Sequence, residues 1–171
     1  ATLRGWLAQG APPGDDRVTL SDQEIERIER WETWFNRDGK RQQLAARWLY
    51  EHLFLAHLYF DTGEDRRPDH FFTLERSLTP PGEPVRPVAT RRPNDDPGGR
   101  FWYRLRPVTG SIVHKTHITF ALSDAKRRRI ETLLLGGSWE LDALPGYGEA
   151  ERANPFITFA ALPARARYQI M

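Results

Sequence analysis

Cysteine is absent from the 171-residue sequence, and lysine occurs only at Lys40, Lys115 and Lys126. Without cysteine, this stretch holds no disulfide, no thiolate nucleophile, no iron–sulfur cluster and no covalent haem attachment through a CxxCH motif. No run of about eighteen apolar residues is present, so no segment is predicted to cross a membrane as a helix. The GxSxG and HExxH motifs of many hydrolases are also missing, which argues against an autonomous hydrolase.

Arginine dominates the basic residues: of 25 Lys and Arg, the three lysines leave 22 arginines, while the formal net charge is only +2. Guanidinium groups suit bidentate contact with carboxylates and phosphates, so lipid headgroups and nucleic acid are both conceivable partners. A genome rich in arginine codons explains the same composition without any partner. The 39% of hydrophobic residues, with six Trp, five Tyr and nine Phe, predict one domain with a sizeable core.

The densest apolar block is RWLYEHLFLAHLYF at residues 47–60, and it carries Glu51, His52 and His57. No Gly or Pro interrupts it, so we predict one long helix over residues 40–60 that is buried from Trp48 onward. The two histidines are five positions apart and lie roughly 140° from each other around such a helix, so they do not share one metal. The purely structural interpretation is that Glu51 pairs with an arginine and that each histidine bonds a backbone carbonyl or hydroxyl.

Three further patterns predict the surrounding elements. Ser21 and Glu24 form a capping box that opens a helix ending near residues 38–39. Residues 101–107 alternate as a strand, and the β-branched residues 111–122 are predicted to pair with them in a hairpin. His114 and His117 then point to opposite faces of a strand. We expect an α+β fold, mainly helical, with a central buried helix at about residues 40–60 and a small antiparallel sheet at about residues 100–122.

A proline- and arginine-rich segment spans residues 78–97 and is predicted to be extended and irregular. Within it, Arg91 and Arg92 face Asp95 and Asp96 across a Pro-Asn turn. This turn is either a closed set of ion pairs or an anion clamp for a lipid carboxylate or phosphate.

Five phrases in the sequence together resemble the fatty acid cis/trans isomerases of Gram-negative bacteria. In chain order they are RWLYEHLFLAHLYF, FFTLERSLTPPG, ATRRPNDDPG, FWYRLRPVTGSIVHKTHITFAL and NPFITFAALPARARYQIM. The resemblance implies a periplasmic enzyme that contains haem c and acts without ATP or a nicotinamide cofactor. Its substrates would be cis-unsaturated acyl chains of membrane phospholipids, which it would convert to trans in membrane stress adaptation.

The missing cysteines depart from that family, whose members carry a CxxCH haem attachment. Residues 1–14 resemble the closing helix of c-type cytochrome-like domains, so we expect them to be the tail of an upstream haem domain. Residues 15–171 would then be a segment of the isomerase domain that is inactive by itself, with the upstream haem domain and the membrane surface as partners.

Under this resemblance, the polar side chains near the apolar block are candidates for acting on the alkene, and the aromatic side chains are candidates for lining an acyl slot. The catalytic candidates are Glu51, His52, His57, His114 and His117. The substrate-binding candidates are Trp48, Tyr50, Phe54, Tyr59, Trp102 and Tyr103, with Arg91 and Arg92 as anion contacts. No metal site of histidines or carboxylates is predicted.

One alternative stays open: a non-catalytic acyl- or membrane-binding module of a periplasmic cytochrome. A nucleic-acid partner is not expected, because no RNP, zinc-finger or helix-turn-helix phrase accompanies the arginines.

Overall fold

The computed structural model describes residues 4, 18–61, 63, 68–109 and 118–170. His114 and His117 lie outside these described residues. Within them, the helices are α1 (Asp22–Phe35), α2 (Lys40–Leu53), α3 (Asp124–Ile130), α4 (Glu149–Ala153), α5 (Pro155–Thr158) and α6 (Ala164–Gln169), and a π-helical turn (Glu131–Leu135) continues α3. The strands are β1 (His57–Phe60), β2 (Phe72–Ser77), β3 (Trp102–Pro107) and β4 (Thr119–Leu122). The predicted α+β class is confirmed.

Helix α1 begins at the predicted capping box. The Ser21 side chain accepts a hydrogen bond from the Glu24 backbone N–H, and the Glu24 carboxylate accepts one from the Ser21 N–H. Trp31, Trp34 and Phe35 of α1 are buried in the core. The chain then turns through Gly39, whose φ of 106° favours glycine, and enters α2.

The predicted helix over residues 40–60 is wrong in its second part. Helix α2 ends at Leu53, and residues 57–60 form strand β1. The burial of β1 alternates, with Leu58 and Phe60 inside and His57 and Tyr59 half-buried, as the period of two requires. The strand forms because β2 and β4 hydrogen-bond to its two sides, and these partners come from distant parts of the chain.

The predicted antiparallel hairpin between residues 101–107 and 111–122 is also wrong. The sheet is mixed, with the strand order β3-β2-β1-β4, so β3 and β4 lie at opposite edges. Strand β2 pairs antiparallel with β1 and β3, whereas β4 pairs parallel with β1. A parallel pair needs a long connection, and β2 and β3 lie within the one that joins β1 to β4.

A buried ion pair fastens α1 to the sheet. Glu32 accepts hydrogen bonds from Arg104 Nε at 2.9 Å and from the Leu105 N–H at 2.8 Å. Burial raises the pKa of the Glu32 carboxyl, while the Leu105 N–H and the Arg104 charge act in the opposite direction. Arg104 also donates to the carbonyls of Pro80 and Glu83, so one guanidinium joins α1, β3 and the proline-rich segment.

We predict that Glu32→Ala lowers the free energy of unfolding by about 3–5 kcal/mol, because it leaves the Arg104 charge buried without its partner. Glu29→Ala on the exposed side of the same helix is the matched control. Urea unfolding of both variants checks this, and similar losses for the two would contradict the assigned role.

Candidate functional site

A cavity of about 370 Å³ opens between the end of α1, α2, the start of β3 and the segment before α4. Such a volume lies in the range of small-molecule sites, about 300–1,000 Å³. Its aromatic walls are Phe35, Phe101, Trp102, Tyr103 and Tyr147, and its charged lining residues are Arg37, Asp38, Arg47 and Arg100. The cavity therefore combines apolar walls with an excess of positive charge.

The cavity keeps its shape because Asn36 fastens the end of α1 to β3. The Asn36 side chain accepts from the Tyr103 N–H at 2.9 Å and donates to the Tyr103 carbonyl at 2.8 Å. The Tyr103 ring lies 5.8 Å from Phe35, 5.2 Å from Phe101 and 5.3 Å from Tyr50, measured between centroids. These ring contacts form a continuous aromatic wall.

Arg47 reaches the cavity from α2 and is only 6% exposed. Its Nε donates to Glu51 at 2.7 Å, and its Nη1 donates to the carbonyls of Pro145 and Gly146 at 2.9 and 2.8 Å. Its Cζ lies 3.9 Å from the centroid of the Tyr147 ring. The Nη2 group is buried and makes no hydrogen bond to any described residue, so one face of the fork retains unused donors.

Arg76 of β2 lies behind the same wall and is 2% exposed. It donates to the Asp95 carbonyl and to the Thr90 hydroxyl, both at 2.9 Å, and no described carboxylate comes within ion-pair distance. Its Cζ is 5.9 Å from the Tyr147 centroid, which itself lies 3.9 Å from the Arg47 Cζ, so the two cations are less than about 10 Å apart. Arg76 thus adds an uncompensated positive charge to this region.

Burial favours the neutral form of the Tyr50 and Tyr103 phenols. Desolvation raises the pKa of Tyr50 above its ordinary value and that of Tyr103 well above it. The charge of Arg76 opposes both shifts but does not reverse them. Neither phenol therefore offers a base near neutral pH.

The outer wall of the cavity belongs to an irregular segment, residues 136–148, that we call the strap. Cationic side chains of α2 hold the strap by donating to backbone carbonyls: Lys40 to Asp142, and Arg41 to Gly137 at 3.2 Å and to Leu135 just before the strap. The Arg41 Cζ also lies 4.5 Å from the Trp139 ring centroid. These contacts replace the hydrogen bonds that the strap's carbonyls lack without regular secondary structure.

We predict that Arg41→Met loosens the strap, because each lost charge-assisted hydrogen bond costs about 1.5–3 kcal/mol. Backbone amides of residues 136–148 should exchange faster with deuterium, while those of β2 and β3 keep their protection. Arg128→Met, at an exposed arginine of α3, is the control and should change nothing. Unchanged exchange in Arg41→Met would show that the strap is held by other contacts.

The structure brings only some of the predicted catalytic candidates near the cavity. Glu51 pairs with Arg47, and the Nδ1 of the exposed His52 lies 2.7 Å from the Trp48 carbonyl, as the purely structural interpretation of these two residues predicted. His57 lies on β1, with its ring 6.5 Å from that of Phe71.

The predicted aromatic candidates separate into two groups. Trp102 and Tyr103 line the cavity, and Tyr50 contacts Tyr103 behind the wall. By contrast, Trp48 is a core residue, Phe54 packs against the core, and Tyr59 contacts Phe71.

Arg91 and Arg92 are exposed and do not line the cavity. The backbone N–H of Arg92 donates a hydrogen bond to the Asp95 carboxylate.

Sequence reasoning did not assign Arg76, Arg100 or Tyr147 to the site. One signal for Arg76 was present in the sequence. Phe72 and Leu74 alternate as the inward-facing positions of a strand, and Arg76 occupies the next inward-facing position of β2. Tyr147 carried no signal, because the strap reaches the cavity only through the tertiary contacts of α2.

The described residues contain no group of three or more His, Asp or Glu side chains placed to hold a metal ion. None of the described helices is long and apolar enough to cross a membrane. The haem c implied by the resemblance does not fit the residues present, since the chain has no cysteine and none of the described histidines lines the cavity.

The fold and the cavity define an α+β protein with a cation-rich aromatic cavity. A family model described as Fatty acid cis/trans isomerase (CTI) matches residues 1–171, the whole chain. The chain therefore belongs to the fatty acid cis/trans isomerase family. No curated protein and no solved structure matches it.

Proposed function

We propose that this chain supplies the acyl-binding part of an isomerase that converts cis-unsaturated acyl chains of membrane phospholipids to trans. Family membership supports the reaction, and the aromatic cavity is the observation that supports a binding role for this chain. In this proposal the protein acts in the periplasm, at the membrane surface, during adaptation to membrane stress.

The cavity suits part of an acyl chain. At about 30 Å³ for each water-sized group, its volume takes roughly a dozen methylene-sized groups. Each methylene that leaves water for the aromatic walls contributes about 0.8 kcal/mol. The rings of Phe101, Trp102 and Tyr147 would bind and orient the chain and exclude water from it.

Neither Glu51 nor the phenols of Tyr50 and Tyr103 is suited to weakening a carbon–carbon double bond. Glu51 is occupied by Arg47, and the Tyr50 and Tyr103 phenols are held neutral. In the proposal, haem c is held by residues outside this chain, because the residues here do not fit it, and we derive no step through it. This chain's contribution is binding, orientation and exclusion of water.

We predict that Trp102→Ala, in the protein expressed in full, lowers the trans/cis ratio of cellular fatty acids toward that of cells without the protein. Losing the contact between one large apolar side chain and the acyl chain costs about 1.5–3 kcal/mol, which corresponds to a roughly tenfold to hundredfold weaker association. Gas chromatography of fatty acid esters measures the ratio, with protein level checked alongside.

Tyr59→Ala is the matched control, since Tyr59 is a half-buried aromatic residue that does not line the cavity. A normal ratio in Trp102→Ala, or a collapse in Tyr59→Ala alone, would contradict the assignment of the acyl site to this cavity.

The second candidate function is a non-catalytic acyl- or membrane-binding module. The observation that favours it is that Glu51 and His52 are engaged in local contacts within α2 rather than aimed into the cavity. The first candidate makes acyl binding in this cavity necessary for the reaction, whereas the second gives this chain no part in the reaction.

We predict that His52→Ala combined with His57→Ala leaves the trans/cis ratio unchanged, because neither histidine lines the cavity. The measurement is the same fatty acid analysis at matched protein level. A collapsed ratio with normal protein and haem content would instead give these histidines a part in the chemistry.

A further inference from the structure

We propose that Arg47 and Arg100 form an anion subsite within the cavity, which binds the carboxylate or phosphate of an amphiphile while the aromatic walls hold its apolar part. This inference rests on the proposed function and assigns the polar end of the same ligand. Its ligand is defined by chemistry shared between a free fatty acid and a phospholipid: an oxyanion joined to an acyl chain.

The first observation is the unused face of Arg47. Three of its contacts are fixed by Glu51, Pro145 and Gly146, and Tyr147 covers one face of the guanidinium. These contacts hold the fork in one orientation and leave the buried Nη2 donors without a described partner. Buried donors are ordinarily hydrogen-bonded, so an oxyanion that reached Nη2 would supply the acceptor that this group lacks among the described residues.

The second observation is the charge balance around the cavity. Glu51 neutralises Arg47, and Arg37 pairs with Glu131 at 2.9 Å. Arg100 forms no ion pair with a described residue, and its Cζ lies 4.8 Å from the Trp102 ring centroid. Asp38 is a lining carboxylate and offsets part of this charge.

The charge of Arg76 makes the surroundings of the cavity more positive. Its buried charge lies behind Tyr50, Phe101 and Tyr147 and has no described carboxylate partner. Buried charges are ordinarily paired, because removing an ion from water is costly. An anion bound in the cavity would supply the missing counter-charge through the aromatic wall, where screening by solvent is weak.

The third observation is that aromatic and cationic groups share one cavity. Phe101 and Trp102 follow Arg100 directly in the chain, and Tyr147 stacks on Arg47. A ligand that fills this space must present an apolar surface to the rings and negative charge to the guanidinium groups. An inorganic anion satisfies only the second requirement, and a hydrocarbon satisfies only the first.

The test compares ligands that share an oleoyl chain and differ in the charge and chemistry of the polar end. Binding of oleate, methyl oleate and oleoyl lysophosphatidylglycerol to the purified full protein is measured by tryptophan fluorescence, below the concentrations at which they form micelles. We expect oleate or the lysophospholipid to bind at least about tenfold more tightly than methyl oleate, as one charge-assisted contact allows. Preference for oleate identifies a carboxylate subsite, and preference for the lysophospholipid identifies a phosphate subsite.

Arg100→Gln removes one charge at an exposed position and so preserves the fold. It should weaken the binding of the charged ligand by about tenfold and leave the affinity for methyl oleate unchanged. Arg47→Lys should weaken the binding of all three ligands, and that of the charged ligands most, because an ammonium lacks the fork that also holds the strap at Pro145 and Gly146. The control is Arg86→Gln, an equally exposed arginine that does not line the cavity, and it should bind all three ligands as the unaltered protein does.

Equal affinity for oleate, the lysophospholipid and methyl oleate, with Trp102→Ala weakening all three, would overturn the subsite and leave the proposed function standing. A second outcome is that inorganic phosphate binds, that Arg100→Gln weakens its binding, and that methyl oleate does not bind. This outcome would support the subsite and overturn the acyl-binding proposal. If Arg100→Gln and Arg86→Gln weaken the binding of the charged ligands equally, the subsite would be overturned. The loss of affinity would then come from the general positive charge of the surface.

Discussion

The guanidinium of Arg47 is the contact on which the cavity depends. Helix α2 presents it, Glu51 one turn later holds its Nε, and the carbonyls of Pro145 and Gly146 receive its Nη1. Burying a guanidinium is less costly when most of its donors are used, so the chain around Arg47 adopts a conformation that offers acceptors to Nε and Nη1. The strap does so, and in doing so it brings Tyr147 onto the cation and closes the cavity.

Hydrogen bonds from arginine side chains to backbone carbonyls recur where irregular segments lie over the core. Such segments contain carbonyls without helical or sheet partners, and buried or half-buried arginines donate hydrogen bonds to them. Arginine is suited to this task because its rigid fork reaches several acceptors at once, which a lysine ammonium does not do in a fixed geometry. The arginines that bond backbone carbonyls in this way are Arg41, Arg47, Arg76 and Arg104. The arginine-rich composition therefore has structural reasons at these positions.

How much of the fold and of the cavity could be predicted from the sequence depended on how far apart the interacting residues are along the chain. The capping box of α1 spans three residues, and local spacing predicted it. The Arg47–Glu51 and His52–Trp48 contacts span four residues; the sequence predicted an arginine partner for Glu51 and a backbone carbonyl or hydroxyl for His52, without saying which. Strand β1 was not readable, because its apolar run fits a helix locally and becomes a strand only through β2 and β4. The cavity was only partly readable: Trp102 and Tyr103 were candidates, but their meeting with Tyr147 and Arg76 depends on contacts across the whole fold.

The central claim is that the aromatic cavity beside Arg47 receives the acyl chain, and photo-crosslinking tests it most directly. A cis-unsaturated fatty acid that carries a diazirine in its chain would be irradiated with the purified protein, and the labelled residues mapped by mass spectrometry. The account predicts labels on Phe101, Trp102 and the strap around Tyr147, suppressed by excess oleate. Labels confined to Tyr59 and Phe71, or to the exposed Phe156 and Ile157 of α5, would contradict it.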